Sequence, residues 1–245
     1  MPDTIRTEFK SCNHLLDTLE EHDYHQLAPS LHEVHVRIKD IVGQRGTPPA
    51  HVYFPCTNVF SVLANMADGS AVEVGTIGRE GFVGVEFLIG GPAWTETVVC
   101  QIEGDALRME IGDFMAALDS DTPLRRIAQR YLLAYMSLVS QSVACNRLHT
   151  IEARFARWVL MTHDRVDGDA FFLTQEFLAD MLGVQRPSVS LVAGAFQQAG
   201  LLRYNRGHMT ILSRAGLEDV CCECYGIVNE QFAQLLSRKD GMKHG

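Results

Sequence analysis

Gln185, Arg186, Ser188 and Ser190 crowd into one stretch, QEFLADMLGVQRPSVSLVAG, residues 175–194. All four side chains can hydrogen-bond to a flat, polar target. A guanidinium can grip two acceptors at once, as guanine O6 and N7 present them in a duplex major groove, with about 1–3 kcal/mol of discrimination. Hydroxyls and a carboxamide can serve base edges or phosphate oxygens. Leu191 sits among them and suits either a thymine methyl or the core. Further on, Arg203, Arg206 and His208 flank the turn Asn205-Arg206-Gly207. Cationic groups on a hairpin suit a polyanion, and a solvated hairpin without contacts is the plainer alternative.

Thiols form the next group. Cys221, Cys222 and Cys224 fall in an apparent C-terminal helix over 215–236, where Cys221 and Cys224 would share a face. No second ligand pair stands at zinc-like spacing, and cysteines at helical spacing commonly just pack. The sequence therefore predicts no metal and no cofactor, with thiol oxidation kept as an alternative use of the cluster. Cys12, Cys56, Cys100 and Cys145 bring the count to an odd seven, which is no secreted disulfide framework, and most are expected to be reduced. His22, His25, His32 and His35 match no ligand or catalytic spacing. No Ser/His/Asp set, paired carboxylates or glycine-rich phosphate loop stands out, so an enzyme is not expected.

These groups must be positioned by folded elements. In 175–194, Ala179 is small where two helices would cross, and Gly183 suits the turn. Leu178, Leu182, Val184, Val189 and Val192 occupy the apolar positions, and Pro187 fits a helix's first turn. This predicts a helix-turn-helix whose second helix leads with Gln185 and Arg186, rather than an ordinary αα-hairpin. The runs on either side of Asn205-Arg206-Gly207 then form a wing.

Upstream the texture differs. A short helical lead-in occupies 11–30. From about 31 to 111, short runs alternate with turns: Val34, Val36 and Ile38 at period two, then His51–Phe54, Val59–Met66, Ser70–Ile77, Thr95–Ile102 and Ala106–Ile111. Six or more strands so spaced predict a small β-barrel or β-roll. After Pro123 no Gly or Pro occurs until Gly168. Leu124, Ala128, Tyr131, Tyr135, Leu138, Ser142 and Cys145 recur by fours and threes, with Leu132, Val139 and Val143 alongside. That spacing predicts a long helix whose seam meets a second copy of itself; packing on its own barrel is the alternative. An amphipathic helix over 150–166 follows.

The net charge of −9 is unevenly spread: residues 1–120 hold 7 Lys/Arg against 18 Asp/Glu, and 121–245 hold 14 against 12. The acidity belongs to the N-terminal part, so it permits DNA binding further on without arguing for it. MPDTIRTEFK has no apolar stretch behind a basic start, and no run approaches the roughly 20 apolar residues of a membrane span. A cytoplasmic protein without membrane association is expected.

The order β-roll, long helix and winged helix-turn-helix, with Gly81-Phe82-Val83-Gly84 before the last strands, resembles the Crp/Fnr family of regulators over roughly residues 12–215. The resemblance implies an α+β fold with an N-terminal jelly-roll β-barrel of the cyclic-nucleotide-binding type at 1–120. A dimerisation helix at 121–147 and a DNA-binding winged helix-turn-helix at 148–245 follow. It implies a homodimer that binds double-stranded DNA sequence-specifically through Gln185, Arg186, Ser188, Ser190, Arg203, Arg206 and His208, with RNA polymerase as a further partner. An effector of unknown identity at the β-roll would modulate it; a ligand-free scaffold and a cysteine redox sensor are the alternatives. In family members that respond to cyclic AMP, a Glu after the glycine matching Gly84 holds the ribose and an Arg further on holds the phosphate. This sequence has Val85, with Glu86 one place late, and Thr95 near the Arg position, so cyclic AMP binding is not expected. Cys12 alone at the N-terminus does not match the iron–sulfur members. Arg186 aligns with a guanine-reading arginine, whereas Pro187 and Leu191 replace a glutamate and a second arginine.

Overall fold

A computed structural model describes residues 11–119 and 121–236; the outer ends of the expected domains, 1–10 and 237–245, and Ser120 lie outside the described residues. The lead-in is a 3-10 turn followed by α1 (Glu21–Leu27). Buried Asn13 fastens it, donating from Nδ2 to the Pro55 and Gly81 carbonyls and accepting on Oδ1 from Leu16 N–H. Cys12 is joined to Cys56 in a disulfide, so these two thiols depart from the reduced state expected for most, while Cys100, Cys145, Cys221, Cys222 and Cys224 are free.

Seven strands follow: β1 (His32–Val36), β2 (Ile41–Gly43), β3 (His51–Pro55), β4 (Val59–Asn65), β5 (Ala71–Ile77), β6 (Thr97–Ile102) and β7 (Gly104–Glu110). They form two antiparallel sheets, β1-β7-β3 and β2-β6-β4-β5. Phe54, Phe60, Phe82 and Met109 fill a shared apolar core. The alternation expected through Ile38 stops at Val36. There the Asp40 carboxylate accepts from Arg37 N–H and Lys39 takes a left-handed φ of 72°, turning the chain into β2. β2 has three residues, too few to display a period.

After α2 (Ile111–Ala117) comes α3 (Pro123–Leu148), capped by Thr122, whose hydroxyl accepts from Arg125 N–H. Its heptad row points inward. Leu124, Ala128, Tyr131, Tyr135, Leu138 and Cys145 are all buried within this single chain. A Cβ on Gly81 would lie 2.1 Å from the Tyr131 ring, and one on Gly75 would lie 2.8 Å from Tyr135, so two glycines give the tyrosines a floor to lie on. The row expected to meet a second copy therefore packs on the chain's own β-roll. A different row remains outside: Gln129, Leu133, Met136, Ser140 and Val143, again spaced by fours and threes.

The C-terminal unit comprises α4 (Ile151–His163), β8 (Ala170–Phe172), α5 (Gln175–Leu182), α6 (Arg186–Gln198), β9 (Leu202–Asn205), β10 (His208–Ile211), α7 (Arg214–Val220) and α8 (Cys224–Leu236). It has its own core, with Phe155, Leu178, Val189 and Met209 fully buried. The helix expected over 215–236 is two helices, broken at Cys221–Glu223, so Cys221 and Cys224 do not share one helical face. α8 leaves this unit and lies along α3, setting Phe232 against Tyr131 at 6.2 Å between ring centres.

α4 docks on the β-roll through a buried polar seam. The Glu73 carboxylate faces Ser61, Thr76 and Trp158 Nε1 at 2.5, 2.8 and 2.9 Å. Gln101 Nε2 donates to Thr162 at 3.1 Å. Arg165 donates from Nε to Glu80 at 2.9 Å and from Nη1 to the Met161 carbonyl at 2.6 Å. Burial works against the Arg165 charge, but Glu80, Asp164 and Tyr131 together outweigh it, and its pKa is raised.

Candidate nucleic-acid interface

Thr174 starts α5: its hydroxyl accepts from Phe177 N–H at 3.1 Å, and Glu176 places negative charge in the first turn. Gly183 ends α5 in the left-handed region at φ 60°, and Val184 N–H returns to the Ala179 carbonyl at 3.0 Å. Leu178, Ala179, Leu182, Val189 and Val192 are buried at the crossing, with Val184 half-buried. Arg154 of α4 closes the joint by donating from Nη2 to the Leu182 carbonyl.

α6 then starts at the surface. Its N-cap, Gln185, makes no side-chain capping bond, and Pro187 lies in the first turn. Pro187 has no N–H and Ser188 N–H bonds to the Gln185 carbonyl at 2.9 Å, which leaves the Arg186 N–H for an external acceptor, and the helix dipole favours an anion there. Gln185, Arg186 and Ser190 are exposed and Ser188 is half-buried. Ser190 already has partners, donating to Gln175 Oε1 at 2.8 Å and approaching the Arg186 carbonyl at 3.2 Å. Leu191 is 75% exposed, which removes its core alternative.

The wing is a three-stranded antiparallel sheet, β8-β10-β9. β8, only three residues long, has no counterpart among the strands expected from the sequence. His208 pairs with Asn205, leaving Arg206 and Gly207 as a two-residue turn with φ of 49° and 86°. Both values are positive, as a type I′ hairpin turn requires. A Cβ on Gly207 would meet the Phe172 ring at 2.6 Å. Arg203, Arg206 and His208 are exposed. Tyr204 anchors the wing from beneath, its hydroxyl donating to the Leu173 carbonyl at 2.6 Å; burial pushes its pKa up to about 12, and nearby Arg186 opposes this. A cleft of about 300 Å³ opens between Thr174, Gln175, Arg186, Tyr204 and Arg206. The fold therefore brings Arg186 and Arg206, from helix and wing, to one polar depression.

Residues 153–220 match the Crp-like helix-turn-helix domain. The matched segment runs from α4 through α7 and holds both α5 and α6. No curated protein matches the sequence. Among solved structures, the fold is similar to a transcriptional regulator of the Crp/Fnr family from Eubacterium rectale (15% identity, TM-score 0.66, 86% of this chain and 99% of that one). It is also similar to FixK2 of Bradyrhizobium japonicum (16%, 0.67, 78% and 98%) and to a CRP-family regulator of Thermus thermophilus (22%, 0.65, 76% and 95%).

In the β-roll the segment after Gly84 is closed on itself. Trp94 is buried edge-on to Phe87 at 4.8 Å and covers Gly43, where a Cβ would lie 2.6 Å from the indole. Glu86 Oε1 accepts from Thr95 N–H at 3.3 Å. No described helix is long and apolar enough to cross a membrane.

A second group, unseen in the sequence, gathers Cys145, His149, Cys222 and Cys224, whose ligand-capable atoms all lie within 4.8 Å of one another. Along the sequence Cys145 falls in the expected helix seam and His149 in the link to the next helix. The signal that could have found them is their i, i+4 spacing together with Cys222-x-Cys224.

Proposed function

We propose that the protein is a Crp/Fnr-type transcription regulator that acts in the cytoplasm as a homodimer, without catalysis, and reads a near-palindromic DNA site with two copies of α6. The carrying observation is the shared cleft of Arg186 and Arg206 at an uncapped helix start. Arg186 reads a base edge, with Gln185, Ser188 and Leu191 beside it; Arg203, Arg206 and His208 hold phosphate; Ser190 serves the surface while braced on Gln175. The dimer forms along the outer row of α3, where Leu133, Met136 and Val143 are 57%, 57% and 68% exposed. Half-sites one helical turn apart follow from a two-fold dimer. RNA polymerase is the further partner. The domains run 1–120, 121–147 and 148–245. Because the segment around Trp94 is filled by its own side chains, the β-roll acts as a scaffold for the dimer rather than as a nucleotide receptor.

In fluorescence anisotropy with a duplex obtained by in vitro selection, Arg186→Ala should lose about 1–3 kcal/mol on that site and flatten its base preference. Arg206→Ala should weaken all duplexes alike and lower the salt slope by about one. Equal loss of specificity in both variants overturns the division of roles. Absence of any salt-dependent duplex binding overturns the function.

A further inference from the structure

We propose that Cys145, His149, Cys222 and Cys224 bind one tetrahedral zinc-class ion that ties the end of α3 to the start of α8. This inference is independent of how α6 meets DNA. Cys145 and His149 come from the last turn of α3 and its cap, four residues apart and therefore on one side. Cys222 comes from the break between α7 and α8, and Cys224 is the first residue of α8. The three cysteines are buried, at 0%, 8% and 0% exposure.

Distances choose the kind of centre. Cys145 Sγ lies 3.5 Å from Cys222 Sγ, and Cys224 Sγ lies 3.5 Å from His149 Nδ1. A tetrahedron with Zn–S of about 2.3 Å and Zn–N of about 2.0–2.1 Å has edges of roughly 3.5–3.8 Å. An iron–sulfur cluster shares its four protein ligands among two or four irons and spreads the set farther than the 4.8 Å found here. All four positions are filled by protein, which makes the site structural and leaves no open place for catalysis.

The surroundings fit the same assignment. His149 turns Nδ1 toward the thiols while its Nε2 faces the Glu223 carboxylate at 3.3 Å. Such a carboxylate fixes the tautomer that leaves the inner nitrogen free to ligate. Gln141 Nε2 donates to Cys224 Sγ at 3.0 Å, as to a sulfur carrying negative charge. Arg157 is buried at 7% exposure and donates to the Ser142 hydroxyl at 3.1 Å. Among the described residues it has no carboxylate within ion-pair reach. Three thiolates and a neutral imidazole around a divalent ion carry a net charge of −1, which supplies Arg157 with a counter-charge; the three thiol protons leave to solvent on binding.

The consequence is mechanical. The ion closes the corner between α3 and α4 and pins the root of α8, whose far end packs on Tyr131. Removing it should free α8 from α3.

The test is metal analysis of the purified full-length protein, with cobalt(II) replacing zinc. Expected are a single zinc per chain and the strong visible bands of tetrahedral cobalt–thiolate. Stoichiometric metal should be lost in Cys222→Ser and His149→Ala and kept in Cys221→Ser and Cys100→Ser. Glu223→Gln should weaken cobalt affinity about 10–100-fold while keeping the spectrum. Should the ligand variants not fold, chelation of the wild-type chain still decides: metal removal should lower the melting temperature and raise hydrogen exchange in α8. Stoichiometric iron with sulfide, a Cys145–Cys222 disulfide in the freshly isolated chain, or a metal-free chain that does not retain added zinc or cobalt would each overturn the proposal.

Discussion

The inner face of α4 and the outer face of α6 belong to one domain and treat polar groups in opposite ways. On α4 and just past its end, Trp158, Thr162 and Arg165 are buried, and each meets a partner on the β-roll. On α6, Gln185 and Arg186 stand in solvent and the Arg186 N–H has no capping side chain. The first face uses its hydrogen bonds inside the chain and sets where the DNA-binding unit sits. The second keeps them for another molecule. Side-chain type does not separate the two faces, since both present an arginine; the difference is whether the fold supplies the acceptor.

The largest expected effect breaks the inner face. Glu80→Ala would strand Arg165, 8% exposed at its side chain, without its carboxylate. Removing one partner of a buried pair costs about 3–5 kcal/mol. A urea-midpoint comparison should show that loss, while Arg186→Ala leaves the midpoint within about 0.5 kcal/mol of wild type. A small effect of Glu80→Ala would mean water reaches Arg165 and the two faces are less different than their burial indicates.

A middle-sized effect concerns α3, which also has an inner and an outer row. Met136→Glu replaces an exposed methionine facing the proposed twin, so the monomer should melt as wild type does. The dimer should lose about 1–3 kcal/mol of association for that side chain and its uncompensated charge, read by sedimentation equilibrium. Unchanged association would place the dimer contact elsewhere.

How much of this was legible in the sequence follows from the same inside–outside distinction. The helix-turn-helix was legible because Ala179, Gly183 and the five apolar positions are local requirements of one turn. The β-roll was legible because turn residues punctuate period-two runs. The facing of α3 was not, because both rows are spaced by fours and threes, and only Gly75 and Gly81, over 40 residues upstream, determine that Tyr131 and Tyr135 go inward. The thiol–imidazole group was illegible for a related reason: its members come from the end of α3 and from the α7–α8 break and the start of α8, and only the return of α8 along α3 brings them together. The C-terminal break itself carries no Gly or Pro to mark it.

The smallest effect sharpens the comparison by pH. Ser61 Oγ stands 2.5 Å from Glu73 Oε2 and 2.7 Å from Gln101 Oε1, yet a hydroxyl has one proton to give. Gln101 uses its amide on Thr162, so it presents oxygen to Ser61. The chain closes if Ser61 donates to Gln101 and a protonated Glu73 donates to Ser61. Burial raises the Glu73 pKa above 4.5, although Ser61, Thr76, Trp158 and Arg165 all pull the other way. A carboxyl whose pKa is raised on folding binds a proton in the folded state that the unfolded state has released. Stability must then fall as pH rises from about 4.5 through the raised value, and stay flat below it. Glu73→Gln keeps an N–H donor toward Ser61 and removes the proton. Its melting temperature should therefore vary less over that window than the wild type's, and should exceed it at the upper end. A wild-type chain whose melting temperature climbs over that window, with the variant following in parallel, would mean that Glu73 is ionised and that α4 sits on a buried charge.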